Sequence, residues 1–463
     1  MSAPLEVDVA VVGAGIVGCA VARELAGHDV SVALIEAKGD VGDATSKANT
    51  AILHTGFDAV PGSLESRLVR RGYELLSAYA VDAGIPVEPV GALLVAWTDE
   101  ELAALPKLLA KAHGNGYERG EIVDADEVYR RVPALGPGAL GGLAIPDESI
   151  ICSWTAALAY ATEAVHRGAH LFLRHRVAAI ETRGDRTILH TDRGDISARW
   201  VVNAAGLGAD HLDRMLGHDR FTVVPRRGEL IVFDKLARPL APCIVLPVPS
   251  SRGKGVLISP TVYGNVMLGP TAEDLDDRTD TSTSEAGLAG LLEKGRALMP
   301  VLLEEEVTTT YAGLRAATEH SDYVIDLDAE QRYLLLGGIR STGLTASMAI
   351  AEHAADLLRA AGLDLAPRTD LPPTPRMPNV GEAFPRPYAD EARIAADPEY
   401  GRVVCFCERV TRGEVRDALA STIPPTDLDG LRRRTRALMG RCQGFYCGAE
   451  ISRLLEGDGR GPS

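Results

Sequence analysis

Long apolar runs are missing from this chain of 463 residues. No stretch approaches the ~18 uninterrupted apolar residues of a transmembrane helix. The early apolar segment from Val7 to Val21 is broken by Asp8 and three glycines and has no basic leader. It therefore reads as a buried strand entering a glycine turn, not as a signal peptide. Excess positive charge is missing too. The net charge of −16 argues against nucleic acid as the main partner, while leaving room for a local cationic pocket that takes a small anion. Cysteine is scarce: seven residues, an odd total without a secretory signal, which makes a disulfide framework improbable. No internal repeat is visible. What is there, 46% hydrophobic and 24% charged residues, excludes wholesale disorder and collagen-like structure. At roughly 100–200 residues per domain the length allows about two to four domains. The chain reads as cytoplasmic.

The residues Val7-Asp-Val-Ala-Val-Val12 form a short strand-like run, followed at once by Gly13-Ala-Gly15-Ile-Val-Gly18. A helical pattern from Cys19 to about Leu25 and a second strand, Val30 to Glu36, complete a βαβ unit. In this setting the first glycine allows a tight turn and the second a close backbone approach to a pyrophosphate. The third allows helix to pack on strand, and the helix N-terminus faces the phosphates. Glu36, 23 positions after Gly13, stands where a carboxylate can take ribose hydroxyls. The motif alone does not separate FAD from NAD.

Further along, helical periodicity covers Glu100 to His113, and strand-like patterns cover Thr222 to Phe233 and Gly255 to Leu268. Tyr333 to Gly338 reads as a buried strand entering another glycine turn, followed by a helix from about Thr345 to Ala361. Prolines crowd the segment from Pro367 to Pro387, marking an extended linker or a strap on a neighbouring domain. Beyond it, Thr411-Arg-Gly-Glu414 has the form of a capping box, and a later helix carries Arg432, Arg433, Arg434 and Arg436.

Thr45-Ser-Lys-Ala-Asn49, Ile52-Leu-His-Thr-Gly56, Asn203-Ala-Ala-Gly206 and Gly337-Gly-Ile-Arg-Ser-Thr-Gly-Leu-Thr345 together resemble the D-amino-acid-oxidase-like superfamily of flavoproteins. The resemblance spans residues 5 to about 365 and implies FAD. It places Gly13, Gly15, Gly18, Glu36, Thr45, Ser46, Asn49, Val177, Ala205, Gly206, Gly338, Gly343, Leu344 and Thr345 at the cofactor.

Within that superfamily, Gly253-Lys-Gly-Val-Leu-Ile-Ser-Pro-Thr261, Leu268-Gly-Pro-Thr-Ala272, Arg226-Arg-Gly-Glu229 and Ala312-Gly-Leu-Arg315 are similar to FAD-dependent glycerol-3-phosphate dehydrogenases and oxidases. The resemblance implies that His54, Lys254, Arg315 and Ser341 surround the substrate. An imidazole is a natural acceptor of a carbinol proton near neutral pH, although His54 could instead contact the flavin. Lys254 as a point charge and Arg315 as a fork suit a phosphate or carboxylate, and Ser341 can hydrogen-bond the substrate. Ordinary structural readings stand beside these: an ion pair of Arg315 with Glu319, a helix cap by Ser341. Where relatives commonly have proline this chain has Thr342, and Arg340 adds a charge beside the same turn.

Four of the cysteines, Cys405, Cys407, Cys442 and Cys447, fall near the end of the chain, while Cys19, Cys152 and Cys243 are solitary. The C-x-C and C-x4-C pairs resemble the bacterioferritin-associated ferredoxin-like domain, a helical module that holds a [2Fe-2S] cluster. A structural zinc site with four cysteine ligands is the alternative. Arg409, Arg412 and Arg441 flank the cysteines, and the arginine run from Arg432 to Arg436 is placed toward solvent or a partner.

The expected architecture is α/β: a Rossmann-type FAD-binding domain of the D-amino-acid-oxidase/glutathione-reductase type, an α+β substrate domain, and a small helical [2Fe-2S] module. FAD-binding parts fall at about 1–88, 145–220 and 320–365, with substrate-domain parts at about 89–144 and 221–319. A proline-rich linker at 366–400, the cluster module at 401–456 and a tail at 457–463 complete the chain. The expected reaction is oxidation of sn-glycerol 3-phosphate to dihydroxyacetone phosphate, with electrons leaving through the cluster to an electron-accepting protein subunit or a quinone-linked partner. Peripheral attachment at the inner face of the cell membrane is compatible with this. His54-Thr-Gly and Pro61-Gly-Ser-Leu64 are also similar to L-2-hydroxyglutarate dehydrogenases, which makes that dicarboxylate the rival substrate. A non-catalytic electron-transfer subunit is the rival from another class.

Overall fold

The computed structural model describes residues 4–249 and 255–457. The opening βαβ unit is present: β1 spans Leu5–Val12, α1 Ile16–Leu25 and β2 Val32–Ile35. β1 is a central strand, parallel to β2 on one side and to strand Gly194–Asn203 on the other. His170–Phe172 extends this sheet beyond β2, and Tyr333–Gly337 runs parallel to the end of Gly194–Asn203. Strands covered on both faces must be apolar throughout, which explains the near-continuous apolar runs in β1 and Tyr333–Gly337. Helix α1 packs against helices Ser153–His166 and Gly343–Ala360, and Gly343–Ala360 also packs against helix Leu64–Ala83. At Gly72 an added Cβ would overlap the Thr345 carbonyl, so only glycine lets those last two helices approach this closely.

A second, nine-stranded sheet carries the middle of the chain. Its longest pairing is antiparallel, Val224–Phe233 against Val307–Ala317, and sets Arg226 opposite Arg315. This sheet has its own core, with Leu93, Val95, Ile231, Phe233, Ile258 and Leu268 among its buried members. The strand-like stretch from Gly255 to Leu268 holds two strands, Leu257–Pro260 and Val266–Gly269, paired antiparallel. The cause is local. The Thr261 hydroxyl accepts from the amides of Tyr263 and Asn265, and Gly264 takes a positive φ of 87°, which turns the chain.

The proline-rich segment is a strap. Asp29 donates its amide to the Ala366 carbonyl at 2.8 Å, Met377 donates to Ala83 at 2.7 Å, and Glu382 donates to Val262 at 2.9 Å. The strap thus runs from the nucleotide half of the molecule to the second sheet. It leads into a small C-terminal unit with helices Arg412–Leu419, Leu428–Thr435 and Gly448–Glu456 around Val404, Val410, Val415, Leu431 and Ile451. Thr411 and Glu414 form the expected capping box. The arginine run does not behave as the sequence suggests. The helix stops before Arg436, and Arg433, Arg434 and Arg436 are buried against the chain's own nucleotide half and Glu408. Buried carboxylates at Asp40 and Glu408 draw them inward.

Candidate active site

The dinucleotide cradle is built where β1, β2 and Gly194–Asn203 end side by side. Gly13 adopts φ 103°, and an added Cβ there would overlap the Ala204 carbonyl. Ala204 in turn donates its amide to Val12 at 2.9 Å, and Ala205 donates to the Asn203 side chain at 3.1 Å. Gly206 continues with φ 56°. At Gly18 a Cβ would overlap the Gly13 carbonyl, so Gly13 and Gly18 both require the absence of a side chain, while at Gly15 a Cβ would stand 3.3 Å from the Ser46 hydroxyl. The N-terminus of α1 at Gly15 has neither a side-chain cap nor an acidic residue in its first turn, leaving its positive end open to an anion. Glu36 accepts from the amides of Ala14 and Lys38, both at 2.8 Å. Burial raises its pKa, and those two amides pull against the rise. Val177 opens strand Val177–Arg183, two residues after His175, whose amide donates to the Glu36 carbonyl at 2.8 Å.

The segment from Thr45 to Asn49 joins this cradle to the second sheet. Ser46 accepts from the Ile16 amide at 2.9 Å, and Asn49 donates to the Ser46 carbonyl at 2.8 Å. The Thr45 hydroxyl donates to the Leu314 carbonyl at 2.8 Å, and the Tyr311 hydroxyl donates to the Asn49 carbonyl at 2.8 Å. Between those two contacts lies Gly313, where an added Cβ would overlap the Ala48 carbonyl. Thus the strand that carries Arg315 is laid directly on the segment expected at the flavin. The residues present fit a bound FAD: glycines where backbone must come close, an open helix N-terminus, and a carboxylate at the end of β2.

His54 and the turn around Thr345, nearly three hundred residues apart, meet here. The His54 amide donates to the Thr345 hydroxyl at 3.0 Å. Thr345 lies in the first turn of helix Gly343–Ala360, which also starts without a side-chain cap or acidic residue, just after Gly338 with φ 65°. Leu344 is half-buried beside it. Ser341 is exposed and does not cap the helix; Thr342 occupies the cap position. The Thr342 hydroxyl contacts Glu65 and the Tyr323 hydroxyl, each at 2.6 Å, which gives this threonine a bonding role that proline lacks. Arg340 is tied to the carbonyls of His320 and Ser321.

Arg315 is partly buried, and burial, with Arg226 adding like-charge repulsion, lowers its pKa. It donates to the Thr271 carbonyl at 3.2 Å and, among the described residues, has no carboxylate partner. Glu319 accepts the Thr222 amide instead, so the structural ion pair considered above is not formed. Gly228 makes the space, since a Cβ there would stand 2.7 Å from the guanidinium. Lys254 lies outside the described residues. Two residues that the structure brings against these segments were not legible in the sequence. Glu148, 3.1 Å from His54 Nδ1, sits in no motif, and Asp40, paired with Arg433 and Arg434, gave no signal beyond its place after Glu36.

In the C-terminal unit the four cysteine thiols stand as two facing pairs, Cys405 with Cys447 and Cys407 with Cys442. The Tyr446 amide, with those of Gly444 and Phe445, lowers the Cys442 pKa, while burial pushes Cys447 up to about 12. Two thiol pairs, four sulfurs in all, supply the donor chemistry of a [2Fe-2S] cluster, although among the described residues no three such side chains are drawn together tightly enough for a single metal ion. Phe406, Phe445 and Tyr446, in the loops between these cysteines, are 74%, 83% and 78% exposed. The flanking arginines are engaged: Arg409 with Glu382, Arg412 with Glu399 and Arg441 with Asp234.

Comparison with known proteins agrees with this geometry. The family of FAD dependent oxidoreductases (DAO) matches residues 8–357, and the BFD-like [2Fe-2S] binding domain matches residues 403–457. A glycerol 3-phosphate dehydrogenase of Caloramator mitchellensis is 34% identical over 97% of this chain and 93% of its own length. A component of the anaerobic glycerol-3-phosphate dehydrogenase of Escherichia coli K12 is 27% identical over 97% of this chain and 88% of its own. Among solved structures, the dithionite-reduced L-alpha-glycerophosphate oxidase from Mycoplasma pneumoniae with FAD bound superposes with a TM-score of 0.76 at 27% identity, covering 81% of this chain and all of the oxidase. Cradle, partly buried Arg315 and paired thiols therefore belong to one molecule of known lineage: the chain is a member of the FAD dependent oxidoreductase family that carries a C-terminal BFD-like [2Fe-2S] binding domain.

Proposed function

We propose that this protein oxidises sn-glycerol 3-phosphate to dihydroxyacetone phosphate and delivers the electrons one at a time to a partner protein. The observation that carries the substrate class is Arg315, a partly buried guanidinium without a carboxylate partner among the described residues, on the strand that braces Thr45–Asn49. Such a charge is costly to bury alone and gains most from a small dianion with several oxygens. Lys254 is proposed as the second phosphate ligand on family resemblance. When bound, FAD supplies a hydride acceptor and the [2Fe-2S] cluster a one-electron outlet. A secondary carbinol that becomes a ketone also gives up its hydroxyl proton, and His54 is the proposed acceptor, with Ser341 hydrogen-bonding the substrate. Residues 1–365 are read as the oxidoreductase unit, 366–400 as the strap and 401–456 as the cluster unit. Exposed aromatic side chains beside the cysteines support a partner that covers the cluster edge. No described helix is long and apolar enough to cross a membrane. A cytoplasmic protein, held at the membrane by its partner, suits the reading.

The test is anaerobic titration of the purified holoprotein with sn-glycerol 3-phosphate, following flavin absorption, with L-2-hydroxyglutarate in parallel. Bleaching by the phosphate ester supports the proposal. Bleaching by the hydroxy diacid alone replaces the substrate, and silence from both with intact FAD favours a non-catalytic role in electron transfer.

A further inference from the structure

Glu148 lies on the turn between strands Gly141–Ile145 and Ser149–Ile151 and is 2% exposed. Among the described residues it has no arginine or lysine partner. Its carboxylate is satisfied by two consecutive residues of the His54-Thr-Gly segment. Oε1 accepts from the Thr55 amide at 2.7 Å and from the Thr55 hydroxyl at 2.9 Å, and Oε2 lies 3.1 Å from His54 Nδ1. On the other side the His54 amide is held by Thr345 at 3.0 Å. The histidine is therefore gripped at its backbone by the turn expected at the flavin and at its ring by a buried carboxylate.

An ionised carboxylate only accepts hydrogen bonds, so it selects the imidazole tautomer with the proton on Nδ1 and leaves the lone pair on Nε2. A nearby negative charge also favours the imidazolium and raises the basicity of the ring. We infer that Glu148 is the positioning residue for His54: it fixes the Nδ1–H tautomer, presents Nε2 to the substrate hydroxyl and stabilises the imidazolium formed there. In that step the substrate O–H bond breaks and an Nε2–H bond forms. The inference rests on the proposal that His54 accepts the proton.

The other titratable groups packed around this turn are committed elsewhere. Tyr73 donates to the Asp147 carbonyl at 2.9 Å, Tyr117 donates to the Asp147 carboxylate at 3.0 Å, and Arg119 pairs with that same carboxylate. Burial raises the pKa of both tyrosines, which keeps them neutral across the working range. Glu148 thus sets a buried carboxylate against the imidazole.

The experiment uses FAD-loaded protein with ¹⁵N-labelled histidine, as wild type, Glu148→Gln and Glu148→Asp. Wild-type His54 is expected to show the Nδ1–H tautomer by nitrogen chemical shift. In Glu148→Gln its titration midpoint and the acid limb of flavin bleaching by glycerol 3-phosphate should both move down by about one pH unit. Bleaching should slow by roughly ten- to a hundredfold, with KM within about threefold, unchanged FAD content, and partial rescue in Glu148→Asp. An unmoved His54 titration and acid limb in Glu148→Gln overturns the inference, as does equal loss of FAD from both variants. Should glycerol 3-phosphate fail to bleach even wild type, the substrate reading fails alone, because the histidine titration needs no substrate and still decides the role of Glu148.

Discussion

Asp40, in the loop after β2, and Arg434, in the C-terminal unit, form a buried side-on pair, Nη1 to Oδ2 at 2.7 Å and Nη2 to Oδ1 at 2.8 Å. Arg433 adds a third bond to Asp40 at 2.8 Å. The next residues of the same loop reach the dinucleotide turn, where Gly42 donates its amide to Ala14 at 2.8 Å. The cluster-bearing unit is therefore fastened to the loop that supports the FAD cradle.

Cutting that fastening is expected to be severe. Asp40→Asn leaves the buried Arg434 guanidinium with a neutral partner, while Arg433 keeps Asp43 and Asp429, a change worth about 3–5 kcal/mol. Chemical denaturation should show the loss, limited proteolysis should open the strap between 366 and 400, and FAD should be released more readily. Acid should do the same to the wild type. Burial raises the Asp40 pKa, but the two arginines outweigh it and leave the group below its ordinary value. Its contribution is therefore full above the unfolded carboxylate pKa of about 3.9 and lost as pH falls through the lower folded value. An Asp40→Asn protein that keeps wild-type stability and FAD would refute the fastening.

Arg315→Met should raise the KM for glycerol 3-phosphate by about ten- to a hundredfold, the range of about 1.5–3 kcal/mol for hydrogen bonds to charged groups. Flavin content should stay normal, because Arg315 is held by Thr271 and not by the cradle. Arg315→Lys should recover only part of the loss, since an ammonium cannot reproduce the fork. Stopped-flow bleaching across substrate concentrations separates these outcomes.

Gly313→Ala tests the contact between the second sheet and the flavin segment. A methyl group there overlaps the Ala48 carbonyl, so either the strand or the segment must move. Overpacking of this kind costs about 1–3 kcal/mol, and the displacement should weaken FAD retention and substrate binding together. The ratio of flavin to protein absorbance, read after gel filtration, checks it.

Asp210, in the helix that follows the Gly206 turn, provides a second pH test. Burial raises its pKa, but Arg278 and the Val223 amide more than offset this, leaving it at about 2. Below its unfolded value of about 3.9, this carboxylate adds stability that is fully present above pH ~4 and fades as pH falls toward 2. Thermal melting of wild type and Asp210→Asn should differ at pH 6 and converge near pH 2. A constant gap would exclude the ionised carboxylate as the cause.

The sequence by itself determined the nucleotide fold, because a buried parallel strand, a glycine turn and an amphipathic helix are each set by interactions among near neighbours. Gly13, Gly15, Gly18 and Glu36 could be read directly, as could the capping box at Thr411, since a turn, a close approach and a helix cap are local requirements. The cysteine spacing was legible for the same reason. The tertiary structure alone decided which charges meet. Arg433 and Arg434 look like a solvated helix face until Asp40, almost four hundred residues away, is folded beneath them. Glu148 has no motif of its own and acquires a role only when its turn is packed against His54. A buried charge is tolerated only with a partner, and chain order does not reveal partners brought together by the packing of two sheets and a strap.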